Sequence, residues 1–285
     1  MLAIDGGEKV RPTGFPKRHL FGEEEREGVS ALFDEAIESG NAFGYGGEHE
    51  QAYEKEFAEY MGGGYADLVN SGTSALYTAL GALELEVAGE VVVPSISDHG
   101  GIMPAALHCQ VPMLADTQPG SFNIGPDQIE AVLTPHTSAI VVAHISGEPA
   151  DMDPILELAR PRGIPVIEDC AQAHGATYKG RLVGTIGTIG IFSTMSGKHH
   201  ATAAQGGVVF AQDEDLFWRI KRFSDRGKPF NTDAATNVRA GLNLNGNDLS
   251  AAVGRTQLRK LPAITKRRQQ AAEGVREGVA DLKSV

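Results

Sequence analysis

The sequence predicts an α/β fold in three layers, a mostly parallel mixed sheet with helices on both faces. Short apolar runs alternate with amphipathic stretches through most of the chain, which is the rhythm of strand–helix–strand units. The run EVVVP has no polar face, as expected of a strand buried on both sides. Asn70, Pro94, His144, Asp169 and Ser193 fall at the carboxyl ends of such runs, where open α/β sheets hold their ligands.

Residues 1–20 are rich in Gly, Pro and charge and read as an extended arm. GEEEREGVSALFDEAIES follows as a helix, with Val29, Leu32, Phe33 and Ile37 at helical spacing, an acidic first turn and Gly40 as its stop. EHEQAYEKEFAEYMGG is a second helix with Tyr53, Phe57 and Tyr60 on one face. The alternation then runs YADLVN (strand), SGTSALYTALGAL (helix), EVVVP (strand), GGIMPAALHC (weak helix) and VPMLAD (strand). It continues with PDQIEAVLT (helix), TSAIVVAHI (strand), MDPILELARPRG (helix) and IPVIEDC (strand). GTIGIFST and QGGVVFAQ are two strands close together, followed by the helix DEDLFWRIKRFSDRG. The last stretch, from LSAAVGRTQLRKL onward, is one long or broken helix around Pro262. The expected division is an arm at 1–20, a large ligand-binding domain at 21–262 and a helical segment at 263–285.

Composition narrows the partners. The 285 residues carry a formal net charge of −12, which disfavours nucleic acid and anionic membrane surfaces. The basic stretch from Arg255 to Arg268 reads as a solvated helix face. The two cysteines, Cys109 and Cys170, have no CxxC spacing and suit a reducing compartment. No signal peptide and no membrane-spanning helix are expected, so the expected location is the cytoplasm.

Three stretches carry chemistry. In SGTSAL, the small residues Gly72, Thr73 and Ser74 would let backbone N–H groups and hydroxyls cradle a phosphate at a helix start; an ordinary N-cap is the alternative. In VIEDCAQAHGA, Asp169 ends a buried strand, where a carboxylate needs a cation or a bonded proton. A protonated pyridine nitrogen would supply both; a metal or a structural ion pair are the alternatives. In FSTMSGKHHATAAQGGVVF, Lys198 follows a strand in a loop of small residues. The phosphate-loop template fails there, since Phe192 and His199 stand where it needs Gly and Ser or Thr. Adjacent His199 and His200 lack further ligands at metal spacing, so no metal site is expected. A lysine in such a loop suits an imine-forming amine or a plain solvated lysine. Phosphate cup, strand-end aspartate and lysine, in this order, are together what pyridoxal 5′-phosphate requires.

With NSGTSAL, VVVPS, FNIGPDQIEAVLTPHTSAIVVAHISGEPADMDPI, VIEDCAQAHGA, GTIGIFS, GGVVF and LSAAVGRTQLRKL, the chain resembles the DegT/DnrJ/EryC1/StrS family of sugar aminotransferases. The resemblance implies a fold-type I pyridoxal-phosphate enzyme. Thr73 and Ser74 would bind the phosphate with Ser193. Asp169 would pair with the pyridine nitrogen, and Gln172 would lie against the ring. Lys198 would carry the cofactor, and Asn243 would reach a phosphate of a second subunit, which implies a homodimer with shared sites. The implied reaction moves an amino group from glutamate or glutamine to a keto-sugar nucleotide or keto-cyclitol, in polysaccharide, cell-envelope or secondary-metabolite biosynthesis. His144 and His174 also match family positions; shaping the pocket is the alternative reading for each.

The departures are specific. Asp98 stands where the family has a ring-stacking aromatic, so His99 is the expected replacement. The loop from Lys198 to Gly206 and Gly207 is one residue longer, and Gln205 replaces a common Glu. The family's Asn-Tyr-Arg reads Asn243-Leu244-Asn245. The family's small C-terminal domain is expected to be absent, leaving its helical start at 263–285. The rivals to transamination are a sugar dehydratase, whose relatives carry histidine in place of the lysine, and a non-catalytic cofactor-binding homologue.

Overall fold

The computed structural model describes residues 1–15 and 17–282; position 16, in the expected arm, and positions 283–285, in the expected C-terminal segment, lie outside the described residues. The strands are β1 (Tyr65–Val69), β2 (Glu90–Pro94), β3 (Val111–Ala115), β4 (Thr137–Ala143), β5 (Val166–Asp169), β6 (Thr177–Tyr178), β7 (Arg181–Leu182), β8 (Ile189–Ser193) and β9 (Gly207–Ala211). The helices are α1 (Glu23–Ser39), α2 (Glu48–Tyr60), α3 (Gly72–Ala82), α4 (Met103–Leu107), α5 (Pro126–Glu130), α6 (Met152–Ala159), α7 (Glu214–Ser224) and α8 (Asp248–Val279).

Seven strands form one sheet in the order β1-β9-β8-β5-β4-β2-β3. The pairs from β8 through β5, β4 and β2 to β3 are parallel, and β9 runs antiparallel to both β1 and β8. The physical reason is the connection. Helices lie between β2, β3, β4 and β5, and a long turn with the hairpin β6–β7 carries the chain from β5 back to β8, whereas the loop 194–206 returns directly into β9.

Alternate side chains of the sheet feed two cores. Leu68, Val92, Ile140, Val142, Val166, Phe192 and Phe210 pack with α2, α6 and α8. Val91, Val93, Val141, Ile167, Ile191 and Val209 pack with α3, α4 and α7. This is the three-layer arrangement that the apolar strands predict. The layers are also tied by charge: Lys221 on α7 donates to Glu54 on α2 at 2.8 Å and to Asp67 on β1 at 2.5 Å. Burial raises the Glu54 carboxyl to about 7.

Three points differ from the sequence reading. The helix expected over PDQIEAVLT ends at Glu130: the N–H groups of Val132 and Leu133 bond three residues back instead of four, and both side chains pack against the core. The hairpin β6–β7 has no counterpart in the sequence reading. On α1 only Leu32 of the expected apolar face is buried, while Phe33 and Ile37 are exposed, because α1 lies outside the layer formed by α8. Of the two readings of the last stretch, long or broken, the long one holds: α8 passes unbroken through Pro262, whose ring is exposed. The basic stretch on α8 is not wholly solvated. Arg255 pairs with Glu56 at 2.7 Å, and Lys260 pairs with Glu24 and Glu25 at 3.0 and 2.7 Å.

Candidate active site

β5, β8 and α3 bring the predicted groups together. β1 ends at Val69, the chain turns at Asn70, and α3 starts at Gly72. Ser71 caps it, its Oγ accepting the Ser74 N–H at 3.0 Å. The first N–H groups of any helix lack intrahelical acceptors, so Gly72 and Thr73 present theirs to the cleft. The first turn touches the end of β8: a Cβ on Gly72 would stand 2.6 Å from the Ser193 Cβ. Only glycine allows that approach, and it places Ser193 beside the cup. Gly207 makes the matching approach from β9, where a Cβ would collide with the Ser71 carbonyl.

Asp169, at the end of β5, is buried, and its Oδ1 accepts one N–H, from Ala171 at 2.9 Å. Burial raises its pKa; the Ala171 bond and the positive potentials of His144 and Lys198 pull the other way, and Asp98 adds to the rise. The carboxylate is thus held in low dielectric with less hydrogen bonding than its charge needs. Its neighbour Glu168 faces the opposite side of the strand and is fully bonded. It accepts N–H groups from Gly184 at 2.8 Å, Ile186 at 2.7 Å and Gly187 at 2.6 Å, and it lies 3.1 Å from His144 Nε2. His144 Nδ1 accepts the Ala150 N–H at 3.1 Å, which leaves the ring proton on Nε2 to donate to Glu168. His144, Glu168 and Cys170 lie close enough together to suggest a metal cluster. The hydrogen bonds already occupy the carboxylate and both imidazole nitrogens, so the group is a structural knot.

Lys198 sits in the loop between β8 and β9. That loop is stapled at its base: Thr194 and Thr202 share a buried hydroxyl bond of 2.6 Å, and Thr194 N–H reaches the Gly206 carbonyl at 2.8 Å. Above the staple, Lys198 N–H donates to the Met195 carbonyl at 2.8 Å. His200 is wholly buried behind the loop, 2.5 Å from the Tyr53 hydroxyl, with His174 and His199 close by. Burial pushes His199 down to about 4, His200 down to about 3, and His174 well below its usual range. All three are neutral at pH 7.

Gln172 Oε1 accepts the Ser146 N–H at 2.8 Å, and Ser146 takes a left-handed φ of 56° to offer it. The turn 98–101 closes near Asp169. Asp98 caps Gly100 N–H at 2.8 Å, and a Cβ on Gly101 would lie 3.3 Å from Asp169 Oδ2. His99 is exposed, and it is the Asp98 charge that is felt at Asp169. Sequence reasoning passed over the adjacent glycines 100 and 101, although such a pair is itself a signal of close backbone approach. Asn243 is not gathered with these groups; it lines a separate cleft with Phe43, Tyr45, Asn245 and Leu249.

Residues 23–285 match the profile of the DegT/DnrJ/EryC1/StrS aminotransferase family. The chain belongs to this family. Similar proteins include Protein MosB of Rhizobium meliloti, 40% identical over 193 residues, a match covering 68% of this chain and 38% of MosB. Another is L-glutamine:2-deoxy-scyllo-inosose aminotransferase of Streptomyces fradiae, 35% identical, with 80% of this chain and 54% of that protein covered. The chain therefore spans about two fifths and about half of the lengths of these two relatives. An aminotransferase structure from Psychrobacter cryohalolentis superposes with a TM-score of 0.87 at 34% identity, covering 95% of this chain and 69% of that one. The family's α/β fold is the one seen here. Among the described residues, no helix is long and apolar enough to cross a membrane.

Proposed function

We propose that this chain carries the cofactor site of a pyridoxal-phosphate-dependent aminotransferase. It would take an amino group from glutamate or glutamine and deliver it to a keto-sugar nucleotide or keto-cyclitol. The observation that carries the reading is Asp169: a buried, under-bonded carboxylate whose pKa burial raises, at the mouth that also holds the α3 N-terminus and the Lys198 loop. The residues present fit the group. Gly72 and Thr73 N–H groups and the hydroxyls of Ser74 and Ser193 would hold its phosphate. Asp169 would pair with its ring nitrogen, which answers the unmet demand of that carboxylate.

When bound, pyridoxal phosphate supplies an electron sink for a carbanion at the donor's α-carbon. Asp169 keeps the proton on the ring nitrogen. Lys198 Nζ would hold the cofactor and, when free, would move the donor's α-proton as general base and acid. Gln172, fixed by Ser146, would lie against the ring. His99 would flank the ring in place of the family's aromatic, and Asn243 would reach the phosphate of a second copy in a homodimer. The named cyclitol and L-glutamine specificities of the Streptomyces fradiae relative support the cyclitol and glutamine parts of the reading. The absence of a spanning helix among the described residues fits the proposed cytoplasmic location.

The test is spectroscopic. Purified protein with pyridoxal phosphate should gain the near-visible band of a lysine-bound cofactor, and Lys198→Ala should lack it. Glutamate or glutamine alone should then convert the band to that of the amine form, and Asp169→Asn should slow this by at least about 100-fold. No band refutes the cofactor assignment. A band without the half-reaction points to the dehydratase or non-catalytic reading.

A further inference from the structure

The N-terminal arm, which precedes the residues that match the family profile, contributes a contact of its own. Arg18 reaches the Lys198 loop and donates from Nη1 to the Gly197 carbonyl at 2.5 Å and the Ser196 carbonyl at 3.5 Å, and from Nη2 to the Lys198 carbonyl at 2.6 Å. A planar guanidinium can span adjacent carbonyls in this way, whereas an ammonium presents a single point charge. Lys198 already donates its own N–H to Met195. Both peptide groups of the lysine are therefore held, one from inside the loop and one from the arm, and only its side chain is left free to move.

The arm is itself anchored. Two residues on, the Leu20 carbonyl accepts from Gln257 Nε2 at 2.9 Å, and Gln257 is wholly buried on α8. Between anchor and contact, His19 adopts a left-handed φ of 47°. A non-glycine residue in that region costs energy and persists where its surroundings hold it. The strained residue is thus the bend that turns Arg18 onto the loop. Arg18 also belongs to a positive rim, with Arg268 and Lys198, that works against protonation of His199.

We propose that Arg18 is a positioning residue for Lys198: the arm is a strap that fixes the backbone of the lysine loop from outside. The proposal takes Lys198 as the cofactor lysine, the reading given above. Arg18 is exposed, so the strap adds little to global stability. Its effect falls on placement, where small shifts of a reacting group are costly.

The experiment compares wild type, Arg18→Ala and Arg18→Lys as full chains. The first readout needs no cofactor: cleavage after Lys198 by a lysine-specific protease, followed by mass spectrometry. The second is the rate at which the lysine-bound band forms with pyridoxal phosphate. Arg18→Ala should be cut at Lys198 at least about tenfold faster and form the band slower by a similar factor, at an unchanged unfolding midpoint. Arg18→Lys should recover only part of either rate, and millimolar guanidinium chloride should restore Arg18→Ala. Equal rates in wild type and Arg18→Ala overturn the proposal, as does faster cleavage that merely tracks a fallen unfolding midpoint. If wild type forms no band, the cofactor reading fails, and the cleavage comparison still decides the strap.

Discussion

His200 makes the fold acid-sensitive by an amount that can be worked out. Its ring is wholly buried, Nε2 shares a 2.5 Å bond with the Tyr53 hydroxyl, and Nδ1 has no partner. Burial pushes it down to about 3. In the unfolded chain the same imidazole takes a proton near about 6.5. Unfolding therefore binds a proton below that pH. The stability tied to a neutral His200 is complete above about 6.5 and drains away as the pH falls toward about 3. Between pH 7 and pH 5 the loss from this one residue is about 2 kcal/mol. His200→Gln keeps a polar partner for Tyr53 and cannot titrate. Its stability at pH 7 is lower by whatever the poorer fit costs, but its fall from pH 7 to pH 5 should be smaller than the wild-type fall by about 2 kcal/mol. Urea unfolding followed by circular dichroism at pH 7, 6 and 5 measures this. Parallel stability profiles for the two proteins would refute the reasoning. Because His200 anchors the loop two residues beyond Lys198, the cofactor band should be lost over the same acid range.

Other substitutions test other parts of the structure. Glu168→Ala orphans the N–H groups of Gly184, Ile186 and Gly187 and the His144 ring proton, and should cost about 3–5 kcal/mol in urea unfolding. Gly72→Ala drives a methyl against Ser193 and should weaken pyridoxal phosphate binding at least about tenfold in an absorbance titration, the overpacking costing about 1–3 kcal/mol. Lys221→Met leaves Glu54 and Asp67 without their cation and should cost about 3–5 kcal/mol at pH 8. Part of that loss should return at pH 6. Glu54 is already raised to about 7, so its carboxyl takes up a proton in the folded state as the pH falls and the repulsion with Asp67 is relieved.

Strands such as β2 and β9 were legible because burial on both faces leaves a nearly unbroken apolar run. Strand ends mark clefts, so Asp169, Ser193 and Gly72 could be named before their geometry was seen. The hairpin β6–β7 was invisible because its two-residue strands have no period. Helix α5 was overread because Val132 and Leu133 supply apolar spacing that serves packing instead. Glu168 and Asp169 look alike in sequence. Only the pleat separates them, turning Glu168 toward four hydrogen-bond donors and Asp169 toward the cleft. Arg18 lies in a segment with no repeat or periodicity, so nothing local announces that it crosses to a loop far along the chain. Arg255 and Lys260 read as solvated because charge runs usually are. Their partners lie on α1 and α2, which a linear reading does not bring near α8.

The adjacency of Glu168 and Asp169 has a consequence for how this strand can change. The knot and the cleft-facing carboxylate are one peptide apart on opposite faces of β5, so a slip of a single residue would swap the faces to which they point. Glu168 would then leave its four hydrogen-bond donors for the cleft, and Asp169 would turn to the packed face. A one-residue insertion or deletion within this strand would therefore break the knot as well as the packing. The strand acts as a fixed origin from which the cleft is laid out.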